Sequence, residues 1–476
     1  MCRAFTTCLG RNEKSLMKDL QRLTTSVMLA TFLAAWDSTV VGTIGPSIAQ
    51  HLGGLAWYPW MLTGFMVMTT VFTPITGYLS DYQPPEILYQ WSIGIFLIGS
   101  LTSGTALSMG WFIVGRLIQG AGAGGILTLG LILMGRHFQG SERIQMQGRL
   151  STMWGLAGLL GPTLGGITAQ WLSWRGLFAV NIILGVLALI VLGSLRSSPP
   201  RTTSVPFDAP GALWLAGWLS AAASAVTAWQ HASFHLLGSG LLVAALGMFV
   251  LWIHAERRAA HPLIPMTWLF EKPVSWPSLL ALVASGSLYA AVLIVPLWLS
   301  MTWRFSPEAV GLAILPLPVA WAVGSLMTSP LIHRLHIAAT LRLGFLGMMI
   351  GLVLPDLATS VGQWPWIVLG NIFLGLGVGV VIMTTLTMVQ LAIAPDSLGR
   401  ATGFYNLARN IGNTLGPGLL GGLVFLMWQP LKRSSLAIKA LRLTTVVHDV
   451  NAALILLIAA LTLLSLKTTT NPHLAK

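Results

Sequence analysis

The sequence predicts an all-α membrane protein, and three observations carry that prediction. Of its residues 55% are hydrophobic and 8% are charged, whereas a soluble globular chain carries about 25% charged residues. The mean hydropathy is +0.77, too apolar for a surface that faces water throughout. The apolar residues also fall in blocks of roughly 20, the length a helix needs to cross about 30 Å of hydrocarbon.

In chain order the blocks lie at 25–48, 57–80, 88–107, 111–135, 150–171, 175–195, 209–229 and 236–254. A second series follows at 275–301, 307–331, 341–359, 365–391, 399–427 and 448–466. Fourteen spans, an even number, place both termini on one side, and the Lys and Arg residues decide which. With the N-terminus inside, most of the 26 basic residues fall on cytoplasmic segments, starting with "MCRAFTTCLGRNEKSLMKDLQR". The exception is "QPLKRSSLAIKALR", where Lys432, Arg433, Lys439 and Arg442 predict an amphipathic piece on the outer interface. The net charge of +13 therefore reads as an orientation signal and not as a nucleic-acid footprint.

The polar, basic start lacks an early apolar core with a small-residue cleavage site, so the first helix is expected to be an uncleaved anchor. Cys2 and Cys8 fall in the cytoplasmic tail, where thiols stay reduced. Trp57, Trp60, Trp364 and Trp366 cluster at block ends and read as interface anchors. The 19 methionines read as packing.

The stretch "GRLIQGAGAGGILTLG", residues 115–130, spells G-x-G-x-x-G at Gly120, Gly122 and Gly125. A dinucleotide site would need a preceding strand, a polar crevice and an acid about 20 residues later. Here an apolar run enters and leaves the glycines without a turn, so no cofactor is expected. Small residues inside a membrane helix instead let two backbones approach closely. Gly120 and Gly124 share a face, with Arg116 one turn earlier on it.

Few side chains can carry chemistry. Asp37 is the one acid among 13 that falls well inside a block. A buried carboxylate is costly to keep ionised, and where its site faces water it can exchange a proton. Arg116 is expected to hold and tune that site; a tie to backbone carbonyls is the plainer alternative. Gln119 lies off the Arg116 face and need not share its contact. Arg409, in "FYNLARNIGN", stands with Asn406, Asn410 and Asn413 in a polar stripe. The stripe suits a cavity wall that binds a polar or anionic substrate, or equally an internal tie between helices. Trp36, Gln119, Tyr289, Asn371 and Gln390 are further cavity candidates. His231 and His235 have i, i+4 spacing but no nearby acid or Cys, so no metal site is expected. Without an intramembrane Ser/His pair, clustered acids or a ligand set, the chain does not read as an enzyme.

The chain also repeats itself: "GLLGPTLGG" at 158–166 has a counterpart in "NTLGPGLLGG" at 413–422. In each, Pro162 or Pro417 removes an intrahelical hydrogen bond, and Gly158, Gly161, Gly165, Gly166 and Gly416 allow close packing or bending. Two similar halves around a midplane site describe many secondary transporters.

At these residues the sequence resembles the major facilitator superfamily, specifically its fourteen-helix drug:proton antiporter branch. "AAWDSTVVGTIGPSIAQHL" is similar to the first-helix signature at Asp37, Thr39, Val40, Val41 and Pro46. "RLIQGAGAGG" resembles the fourth-helix motif R-x-x-Q-G-x-G. "GPTLGG" followed by "WLSWRGLFAVNIILG" resembles the fifth-helix antiporter motif and the W-R-W-x-F-x-x-N-x-P-x-G stretch after it. "ERRAAHPLIPMTWLF" resembles the loop that follows the branch's two extra helices.

The resemblance implies a major facilitator fold with a cytoplasmic tail at 1–24 and a six-helix half at 25–195. A linker with two extra transmembrane helices follows at 196–274, then a second six-helix half at 275–466 and a tail at 467–476. It implies a proton-coupled exporter of small amphipathic compounds in a bacterial inner membrane, both termini cytoplasmic, and admits a periplasmic adaptor as a partner. Export of one metabolite or siderophore-like compound, or a transporter-like protein that has lost coupling, are the alternatives. Departures occur at Gly42 and Ile183, where the family motifs carry Asn and Pro. The loop after the second helix keeps Gly77, Leu79 and Asp81 but lacks the family's basic residues, which predicts a weakened cytoplasmic latch.

Overall fold

In a computed structural model the described residues are helical almost throughout. The structure describes residues 2–53, 58–171, 173–193, 207–229, 235–428, 444–445, 447–449 and 451–458. The first half comprises α1 (Cys2–Leu52), α2 (Tyr58–Tyr82), α3 (Pro85–Gly104), α4 (Met109–His137), α5 (Gly140–Trp171) and α6 (Arg175–Leu192). The pair α7 (Ala209–Trp229) and α8 (His235–Arg258) follows. The second half comprises α9 (Lys272–Thr302), α10 (Pro307–Ile314), α11 (Pro316–Val361), α12 (Pro365–Ala392) and α13 (Leu398–Trp428). A shorter apolar helix, α14 (Val447–Ile458), closes the described chain. Among the described residues eight helices are long and apolar enough to cross a membrane.

The helix ends follow local chemistry. Ser108 caps α4 by accepting from the Trp111 amide, and Ser306 caps α10 ahead of Pro307. Gly362, at φ 71°, closes α11 in the left-handed conformation. Two blocks differ from expectation in how they are joined. The blocks at 307–331 and 341–359 become α10 and a long α11, which turns at His336 (φ 62°, ψ 164°). At the other end α1 runs back to Cys2, so the basic tail continues the first helix. Trp57, His231 and the basic segment "QPLKRSSLAIKALR" lie outside the described residues.

Packing explains the internal repeat. Helices α1 to α6 pack together, as do α9 to α13, while α7 and α8 pack on each other and α7 also touches α2 and α13. The helices that carry the two Pro/Gly strings both cross to the opposite half: α5 lies against α11, and α13 against α2. Gly158 faces Pro318 of α11, and Gly161 faces Thr39 of α1. The backbone stays helical through both strings, but the surroundings of Pro162, Gly165, Gly166, Gly416 and Pro417 lie outside the described residues.

Candidate transport site

Asp37 sits at the centre of a polar network drawn from five helices. Arg116 of α4 donates through Nη1 to Asp37 Oδ2 in a buried ion pair. The amide of Gln119 donates to Asp37 Oδ1 at 3.1 Å, and Asn181 of α6 donates to the same oxygen at 2.7 Å. Arg116 also donates to Gln119 Oε1 at 2.7 Å and, through Nε, to the Met61 carbonyl of α2 at 3.2 Å. Gln119 in turn donates to Ser100 of α3 at 2.7 Å. A lone carboxylate or guanidinium at this depth would be costly; paired and hydrogen-bonded, the two are tolerated.

Three points depart from the sequence expectations. Gln119 does share the Arg116 contact, because residues three apart stand only about 60° from each other round a helix. Asn181, the Asn of the stretch that resembles W-R-W-x-F-x-x-N-x-P-x-G but given no site role there, belongs to the network. Asp37 is not reached by water here: it is 2% exposed, covered by a cluster that includes Met61, Phe112, Trp174 and Phe178. The Phe65 ring lies against the Arg116 guanidinium, 4.3 Å from its carbon.

The glycines of α4 make this assembly possible. A Cβ on Gly120 would lie 2.4 Å from the Phe65 carbonyl oxygen, and one on Gly124 2.5 Å from that of Thr69. Helices α2 and α4 therefore touch backbone to backbone, and Thr69 bridges them by donating to the Gly120 carbonyl at 3.2 Å.

A central cavity lies on the other side of Phe65, between the two halves. Its polar wall is the α13 stripe of Arg409, Asn410 and Asn413, facing Ser285 and Tyr289 of α9. Its apolar wall includes Leu127, Ile382 and the rings of Trp154 and Trp321, 5.9 Å apart and contributed by opposite halves.

Five residues expected there are elsewhere. Trp36 stacks on Phe32 within the apolar cluster beside Asp37, and Gln119 is consumed by the network. Asn406 is buried one turn from Arg409, where the close approach of Gly403 to Pro74 and Gly77 closes the space. Asn371 lines a separate small cavity, and donates to the Ala313 carbonyl at 3.3 Å. Gln390 accepts from Gln147 at 3.0 Å and donates to Thr402 at 3.3 Å, tying α5, α12 and α13 together.

The loop after α2 is latched in spite of its missing basic residues. Asp81 accepts from the Gly399 and Arg400 amides at 2.8 and 3.0 Å and from Arg400 Nε at 3.2 Å. Arg136, at the end of α4, adds a charge at 3.5 Å and donates to the Ser80 carbonyl at 2.7 Å. The N-terminus of α13 thus binds the carboxylate as helix N-termini bind anions. Gly77 allows the approach, since a Cβ there would lie 2.7 Å from the Gly399 carbonyl oxygen. The expected weakening is corrected: arginines from α4 and α13 take the place of the loop's own charges.

Helices in two crossed halves, a polar-and-apolar central cavity and a latch between the halves describe a transporter. The profile of the Major Facilitator Superfamily matches residues 27–417. The chain belongs to the major facilitator superfamily. This superfamily member is a membrane transporter with a small-molecule substrate, not an enzyme. It is 28% identical over 414 residues to "Multidrug transporter protein MdtP" of Bacillus subtilis, covering 84% of this chain and 75% of that protein. It is 27% identical over 411 residues to "Efflux pump FUS6" of Gibberella fujikuroi, covering 82% of this chain and 72% of that one. In fold it is similar to the human organic anion transporter MFSD10, with a TM-score of 0.69 at 16% identity, over 93% of this chain and 99% of that structure.

Proposed function

We propose that this transporter is a proton-coupled exporter of small amphipathic compounds, working by alternating access with fourteen spans and both termini in the cytoplasm of a bacterial cell. The observation that carries the reading is a row of α2 positions spaced by four: Met61, Phe65, Thr69, Thr73, Gly77 and Asp81. Met61 and Phe65 touch Arg116, Phe65 and Thr69 line the cavity, and Thr73 accepts from Asn410 at 3.3 Å. Gly77 and Asp81 meet the start of α13. A four-residue spacing drifts by about 40° per step, which turns the row from α4 at one end to α13 at the other. One helix thereby touches the buried acid, the cargo space and the cytoplasmic latch.

In this mechanism proton uptake by Asp37 releases Arg116 and loosens α2 against α4. The same helix then frees its hold on α13, and the cavity opens to the other side. A relative named as a multidrug transporter and one named as an efflux pump support the direction and the broad cargo class. The intact latch on Asp81 argues against the loss of transport.

The test is uptake of a panel of amphipathic dyes and drugs into energised everted vesicles. Accumulation of several panel members that collapses with the proton gradient is expected. Accumulation indifferent to the gradient would overturn the coupling, and accumulation of a single compound class would favour a dedicated exporter.

A further inference from the structure

Among the described residues two arginines lie in the transporter's interior, and of these only Arg116 has a counter-ion. Arg116 is held by Asp37. Arg409 forms no ion pair among the described residues; the ionisable side chains beside it are the phenols of Tyr289 and Tyr405. Its Nε is buried without a hydrogen-bond partner. The side chain borders the central cavity, as does Ser285, whose hydroxyl is also buried and unpartnered. A guanidinium does not shed its proton in a protein, so burial cannot be relieved by neutralising it. Among the described residues nothing supplies the opposite charge, and an anionic ligand in the cavity would.

We infer that the cavity takes an amphipathic organic anion, its carboxylate held by Arg409. The guanidinium fork matches a carboxylate with two parallel hydrogen bonds, and the Ser285 hydroxyl supplies a third donor. The Trp154 and Trp321 rings offer an apolar body a place between the halves. The arrangement selects one charge sign, because a cationic cargo would meet Arg409 with no acid on the cavity wall to offset it. This rests on the reading of the central cavity as the cargo site, and it specifies the cargo's chemistry. It also has an electrical consequence: an anion leaving while a proton enters moves charge in one sense, so the membrane potential adds to the driving force.

The experiment is equilibrium binding to the purified full chain in detergent at neutral pH, with no gradient present. The probes are 2-naphthoate and 2-naphthamide, which share a ring system and differ in charge. The wild type is expected to bind naphthoate at least about tenfold more tightly, as for a hydrogen-bonded charge pair. Arg409→Gln should bring naphthoate down to the affinity of naphthamide and leave naphthamide within about twofold. Arg409→Lys should keep most of the preference, and serves if the Gln variant does not fold. A wild type without preference, or binding neither probe, overturns the inference. So does a folded Arg409→Gln that loses both probes equally, since Arg409 would then be a structural tie. A failure of proton coupling in vesicles would leave these binding results unchanged, so the two readings fail separately.

Discussion

Phe65 presents its ring to the Arg116 guanidinium, 4.3 Å from centroid to carbon, and the same residue lines the central cavity. A cation over an aromatic face contributes about 0.5–2 kcal/mol, more as the pair is desolvated. The ring is therefore both a partner of the charge and a partition between it and the cargo space. Replacing Phe65 with Ala should open that partition. Labelling of Asp37 by a hydrophobic carbodiimide should then speed up severalfold, while the Asp81 latch stays closed. An unchanged labelling rate would mean that access to Asp37 does not run through the cavity.

Asp37→Asn removes the negative member of a buried pair and leaves Arg116 uncompensated. Breaking such a pair from one side costs about 3–5 kcal/mol, and much of that is the stranded charge. The melting temperature in detergent should fall, and should partly recover in Asp37→Asn/Arg116→Gln, where both charges are gone. Gradient-driven export should be lost in both variants, while counterflow exchange of cargo persists in the double variant. Gradient-driven export at the wild-type rate in Asp37→Asn would leave the network a structural tie.

The Asp81 latch joins residues more than 300 positions apart, so its variants separate closure from folding of either half. In Asp81→Ala the α13 amides of Gly399 and Arg400 lose their acceptor, and Arg400 and Arg136 face each other without the carboxylate between them. The latch side of the cavity should open more often. A cysteine placed at Ile382 on the cavity wall, with Cys2 and Cys8 replaced by Ser, should react faster with a membrane-impermeant thiol reagent from that side. Equal reactivity in the two backgrounds would remove Asp81 from closure.

The parts that were legible in the sequence are those set by local pattern. Apolar block length anticipates the helices, and the four-residue spacing of Gly120 and Gly124 anticipates a close helix crossing, because both depend only on neighbours along one helix. Asp37 and Arg116 stand out as charges in apolar runs, yet nothing local pairs them; their meeting depends on how α1 and α4 are set against each other. Asn181 looks like many other Asn residues, and the Met61 carbonyl that receives Arg116 carries no letter at all. The latch is illegible for the same reason: the loop after α2 carries no basic residue, and Arg136 and Arg400 arrive from two other helices. Trp36 and Asn406 failed as cavity residues because neighbours along a helix point about 100° apart, and which direction faces the cavity is a property of the whole bundle.

The glycines of α4 give the sharpest contrast between position and residue type. Gly110 and Gly120 lie on the same helix, and both are helical. A methyl on Gly110 would meet nothing within 4 Å, whereas one on Gly120 would lie 2.4 Å from the Phe65 carbonyl oxygen. Backbone cannot rotate away as a side chain can, so α2 would have to move and carry Phe65 off Arg116. Overpacking of this kind costs typically 1–3 kcal/mol, and Gly120→Leu should cost more. Gly120→Ala should lower the melting temperature and the amount recovered from membranes, with Gly120→Leu barely accumulating. Gly110→Ala should match the wild type or exceed it slightly, since Ala favours helix over Gly by up to about 1 kcal/mol. Equal effects of alanine at the two positions, measured by thermal unfolding in the same detergent, would show that α2 and α4 do not touch as closely as described.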